Sequence, residues 1–113
     1  MVTISKNLVD EVWGSDKPAI PQAKVFVHDF KYAGLTVQQK WAKIAEKLAP
    51  KKVDALLIST LDDIDWIVNM RGNDIKYNPV FFSYAIFFPA SGEGTHSTLS
   101  LFIQNSKVPD ETV

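Results

Sequence analysis

The apolar side chains of this chain cluster in a few short stretches, and the densest sets the plan. Residues 80–88, VFFSYAIFF, are apolar at odd and even positions alike, broken only by Ser83 and the amphipathic Tyr84. That pattern predicts a strand covered on both faces, entered through Pro79. Just upstream, Leu61, Ile64, Ile67 and Val68 recur at helical spacing. Thr60 stands where an N-cap would accept from the Asp63 amide, and Asp62, Asp63 and Asp65 place negative charge at the positive end of the helix. Gly72 is positioned to supply the left-handed residue that stops it. An earlier helix starts at Gly34, Leu35 and Thr36, because Thr36 and Gln39 form a T-x-x-Q capping box and Val37, Trp41, Ile44 and Leu48 share one stripe. Lys40, Lys43 and Lys47 are assigned to the opposite, solvated side, and Pro50 ends the helix.

Residues 53–58, VDALLI, form a compact apolar run suited to a buried strand. Helix, buried strand, helix, buried strand is the α/β order. The crossover from 53–58 through the second helix to 80–88 predicts a parallel, right-handed pair. A polar, glycine-containing turn over 89–97 leads to residues 98–103, where Leu99, Leu101 and Ile103 alternate, so these form a hairpin with the preceding strand. At the other end, residues 1–4 alternate as a strand would. Leu8, Val9 and Val12 make a short helical turn capped by Asn7 or Ser5. Gly14, Pro18 and Pro21 then mark a linker, and residues 25–27 read as an edge strand or an extended tail. No periodicity appears from residue 104 onward.

Composition narrows the functional classes. A chain of 113 residues, 46% hydrophobic and 22% charged, has room for one core. Twelve basic and 13 acidic side chains are scattered without blocks, leaving a net charge of -1 and no footprint for nucleic acid or an anionic membrane. There is no cysteine, which removes disulfides, thiolate nucleophiles and Cys-type zinc sites and fits a reducing compartment. Neither a signal peptide nor a run long enough to span a bilayer is visible. Arg71 is the only arginine, hence the only planar fork for bidentate carboxylate or phosphate binding.

Candidate chemistry is sparse. Asp62, Asp63 and Asp65 lie on more than one helical face, so a dipole role accounts for them better than a cation cluster. Arg71, Gly72 and Asp74 make the most distinctive polar turn. One reading presents Arg71 to a substrate carboxylate; the favoured one is a capping glycine beside a local Arg71 to Asp74 pair. Trp41 belongs to its helix stripe, whereas Trp66 lies off the Leu61 and Ile64 stripe and is a candidate to face another domain. His28 and His96 read as solvated. No G-x-S-x-G elbow or phosphate loop occurs, and the terminal Glu-Thr-Val is only a weak carboxylate-capture motif.

The run LDDIDWIVNMRGNDIKYNPVFFSYAI resembles the middle domain of eukaryotic three-domain Xaa-Pro aminopeptidases (aminopeptidase P), a creatinase N-terminal-like domain. NLVDEVWGSDKPAIP is similar to that family's linker out of its first domain, and VHDFKYAGLTVQQKWAKIAEKL to the first helix of the middle one. Trp66, Arg71, Gly72, Asp74, Asn78, Pro79, Phe81, Phe82 and Tyr84 carry the signature and are assigned a structural role. The resemblance implies an α/β fold with a mixed sheet flanked by helices, incomplete at its C-terminal side, divided into an interdomain linker with a remnant of a preceding domain over 1–24 and a partial middle domain over 25–113. It also implies a cytoplasmic, manganese-dependent peptidase that removes an N-terminal residue before proline. The family's metal and catalytic residues lie in a third domain, so no catalytic, cofactor or metal residue is assigned here and the chain alone is expected to be inactive. Its expected partners are other domains of an aminopeptidase or a second copy of itself. The alternative function is a stand-alone module that docks on a full-length aminopeptidase; a small unrecognised enzyme built on Arg71 ranks last. A strand such as 80–88 without its remaining cover is expected to make the chain self-associate or fold only marginally.

Overall fold

The computed structural model describes residues 3–92 and 94–109. Helix α1, Leu8–Trp13, is capped by Asn7, whose side chain accepts from the Val9 amide, and it has no buried residue. Strand β1 is Phe26–Val27, and the single turn α2 is Phe30–Ala33. Helix α3, Val37–Leu48, carries the expected capping box: Thr36 accepts from the Gln39 amide and Gln39 from the Thr36 amide. Strand β2 is Leu56–Ile58, helix α4 is Leu61–Val68, and β3 is Met70–Arg71. Strands β4, Ser83–Phe88, and β5, Thr98–Ile103, form the expected hairpin, with Ala85 opposite Leu101. Residues 1 and 2 and the C-terminal Glu-Thr-Val lie outside the described residues, and Thr3 and Ile4 form no strand.

The α/β class stands, with helices packed beside two small sheets, β1-β3 and β2-β4-β5. The pairing differs from expectation. β2 runs antiparallel to β4, with Leu57 opposite Ile86, not parallel to it. The chain reverses after α4 through β3 and the turn over 72–80 instead of making one crossover. A dozen or more residues with a helix permit a parallel return but do not require it.

Coverage of β4 differs too. Ser83, Ala85 and Phe87 are buried while Tyr84 and Phe88 are exposed, so the strand has one inner and one outer face. Residues 53–58 are not a buried strand either: β2 is a half-exposed edge, with Leu57 69% accessible. The core lies under the inner face, where Val25, Ile64, Met70, Phe81 and Ala85 meet Ile58, Val68, Leu99, Leu101 and Ile103. Trp41 of α3 meets Phe87 edge-on at 5.9 Å between ring centres, which docks α3 on the same face.

Candidate functional site

The end of α4 and the segment that follows it gather most of the buried polar groups of the described residues. Asn69, with φ of 52°, takes the left-handed position that ends the helix. Gly72 therefore does not serve as the stop. It is required for a different reason: a Cβ there would fall 2.6 Å from the Phe81 Cβ and 3.1 Å from the Val80 carbonyl oxygen. The segment after β3 passes residues 79–82 that closely, with the Gly72 amide donating to Pro79 O and the Asp74 amide to Val80 O. At the other end of α4, Thr60 makes no side-chain capping bond, so the expected contact to Asp63 is absent.

Lys40 is also not solvated. It is 2% exposed, and its Nζ donates to Trp66 O at 2.7 Å and to Asn69 Oδ1, 4.5 Å from the centre of the Trp66 ring. Trp41 Nε1 donates to Ile67 O at 3.1 Å, and Asn69 Nδ2 donates to Leu35 O at 2.9 Å. Two side chains of α3 thus satisfy carbonyls that the last turn of α4 leaves open, and an ammonium sits at the negative end of the helix dipole. Burial lowers the Lys40 pKa, and the Arg71 charge lowers it further. The sequence held a signal for this burial. Position 40 is three residues after Val37 and four before Ile44, inside the apolar stripe.

Asp65 lies on the core side of α4, 1% exposed, and neither carboxylate oxygen has a hydrogen-bond partner among the described residues. Burial raises its pKa to about 7. Arg71 opposes the rise, Asp62 and Asp74 add to it, and the Phe81 backbone amide opposes it weakly without reaching hydrogen-bond geometry. Asp74 does not pair with Arg71. Its Oδ2 takes the Lys107 ammonium in a fully buried ion pair and accepts from the Phe82 amide at 2.7 Å. No local pattern announces a partner 33 residues away. Arg71 donates from Nη1 to the Met70 carbonyl at 2.8 Å and forms no ion pair among the described residues.

The structure brings Trp66, Arg71, Gly72, Asp74 and Phe81 of the signature to this wedge and leaves Asn78, Pro79, Phe82 and Tyr84 on its exposed side. Trp66 is 42% accessible on α4. His96 is exposed, and His28 is half-buried, its ring 5.9 Å from that of Tyr32. Asp62 and Asp63 are exposed while Asp65 is sealed in the core. Among the described residues no three His, Asp or Glu side chains converge as a metal site, so the residues present do not fit a manganese ion. Nor is any helix of the described residues long and apolar enough to cross a membrane.

What this wedge does chemically is hold backbone segments together, which marks a structural unit of an α/β domain. The family model for the creatinase/prolidase N-terminal domain matches residues 16–113, and the chain belongs to that family. A protein described as a probable Xaa-Pro aminopeptidase P from Neosartorya fischeri is 49% identical over 113 residues, all of this chain and 16% of the relative. One from Penicillium rubens is 45% identical over 111 residues, 98% of this chain and 17% of the relative. Among solved structures, the X-prolyl aminopeptidase of Caenorhabditis elegans, described as a cytosolic enzyme with a di-nuclear active site, matches 98% of this chain and 17% of its own. Its TM-score is 0.83 at 38% identity. The chain therefore spans about a sixth of the length of the proteins it matches.

Proposed function

We propose that this chain acts as a non-catalytic structural domain of a manganese-dependent Xaa-Pro aminopeptidase of the cytoplasm, an enzyme that removes the N-terminal residue preceding proline. The likeness of nearly the whole chain to one part of the nematode enzyme carries this reading. Residues 1–24 serve as the interdomain linker and 25–113 as part of the middle domain. In support, α1 has no buried residue and Val25, 1% exposed, is the first side chain to enter the core. The signature residues hold that domain's shape: Gly72 admits the close pass of residues 79–82, Asp74 ties the turn to Lys107 and Phe82, and Phe81 fills the core. Purified chain incubated with manganese and an Xaa-Pro peptide is expected to release no N-terminal residue. Turnover above a metal-only blank overturns the proposal.

A second reading, a stand-alone module that docks on a full-length aminopeptidase, has one observation in its favour. Leu8, Val9 and Val12 on α1 and Leu57, Tyr84 and Phe102 on the sheet are all more than half exposed. Size-exclusion chromatography of the chain mixed with an intact aminopeptidase decides it, since failure to co-elute at micromolar concentration removes the docking role.

A further inference from the structure

Of the basic side chains at the wedge, Lys40 and Lys107 are sealed and only Arg71 is half-buried rather than buried. The guanidinium carries Nη1 on one side and the Nε and Nη2 pair along an adjacent edge. Nη1 is engaged by Met70 O, while Nε and Nη2 have no hydrogen bond among the described residues, and neither is a buried polar atom without a partner. That free edge is one of the two along which an arginine holds both oxygens of a carboxylate. The charged groups nearby are already committed elsewhere. Lys40, which feels the Arg71 charge, has neutral oxygens as its partners among the described residues, Asp74 is taken by Lys107, and Asp65, the carboxyl that feels Arg71, is sealed in the core without a hydrogen bond to it. A pair of parallel N–H donors left without a partner among the described residues is matched best by an anion with two oxygens. Beside Arg71 in the β1-β3 register stands Phe26, 46% exposed, offering an apolar surface next to the fork.

We propose that the Nε and Nη2 edge of Arg71, flanked by Phe26, is a seat for a peptide carboxylate adjacent to an apolar side chain. The carboxylate comes from a peptide terminus or from an acidic residue of another protein segment; both offer two coplanar oxygens. A phosphate is the less suited anion, because no second arginine or lysine of the described residues is aimed at the same edge.

As the only arginine, Arg71 gives a single Nε–Hε resonance in a nitrogen-15 spectrum of the full chain. Titration with N-acetylleucine is expected to shift that resonance and the Phe26 and Gly72 amides saturably, with half-saturation in the roughly 1–10 mM range. N-acetylleucinamide, which lacks the carboxylate, is expected to shift none of them. An N-acetylated, amidated Leu-Asp dipeptide separates the sources: binding comparable to N-acetylleucine assigns the seat to side-chain carboxylates as well, and tenfold weaker binding assigns it to termini. Arg71→Lys is expected to weaken binding at least about fivefold, since an ammonium lacks the fork. A shift that never saturates, an amide that binds as well as the acid, or phosphate that binds more tightly than either acid overturns the proposal. The wild-type ligand series stands even if a variant folds poorly.

Discussion

The two faces of the β2-β4-β5 sheet are built from similar side chains and meet opposite fates. On the inner face, Ala85 and Phe87 are fully buried, while Leu99, Leu101 and Ile103 pack at the core. On the outer face, Leu57, Tyr84, Phe88 and Phe102 are between 40% and 69% exposed, with Tyr84 directly opposite Phe102. Hydrophobicity alone therefore does not tell which face has a cover. What tells is whether α3, α4 and the 70–82 segment lie against it.

The inner face is broken most sharply by Phe87→Ala. Removing a fully buried ring that Trp41 meets edge-on is expected to cost about 3–5 kcal/mol, read as a loss of midpoint in urea unfolding. Asp65 tests the same side through pH. The native chain keeps its proton to about pH 7, whereas an unfolded aspartate releases it near 4. Native protein thus binds more protons at Asp65 in that window, so the Asp65 contribution to stability is greatest below about pH 4, declines as pH rises to about 7 and is flat beyond. The decline reaches up to about 4 kcal/mol, and Asp65→Asn is expected to flatten it in melts taken from pH 4 to 8. A wild-type profile that rises through this window, or a variant that keeps the slope, refutes the assignment.

Gly72→Ala probes the close pass beneath the core. Its Cβ meets backbone and the root of Phe81, neither of which can swing away, and a cost of about 1–3 kcal/mol in thermal unfolding is expected. The outer face should respond least in stability and most in association. Leu57→Thr, Tyr84→Thr and Phe102→Thr are each expected to change stability by no more than about 0.5 kcal/mol. The wild-type chain is expected to sediment above its monomer mass at tens of micromolar, and the combined variant to return to the monomer. A wild type that stays monomeric removes the outer face as an adhesive surface.

Features decided within a few residues were legible in the sequence. The Thr36 and Gln39 box, the β4-β5 hairpin and the α/β class with its family signature are of this kind. Features decided by a distant partner were not. Chain proximity points Asp74 to Arg71, three residues earlier, yet it pairs with Lys107, because burial rewards the ammonium that the 3-10 turn at Asn105–Lys107 delivers to it. Gly72 stood where a helix stop is expected, but Asn69 already takes the left-handed position three residues earlier, and the glycine answers instead to Phe81. For Lys40 charge points to solvent and position to the core; its place on the stripe is readable in the sequence, while the carbonyls that receive it are not.

The two sealed lysines also give the chain a built-in chemical clock. Nine of the eleven lysines are exposed, whereas Lys40 and Lys107 are 2% and 1% accessible. An amine-reactive reagent added briefly to native protein will acylate the nine and spare these two. Because Lys40 reports on the seam between α3 and α4, and Lys107 on the anchoring of the chain end against the turn at Asp74, their separate rates of modification will show which of those two seams opens first.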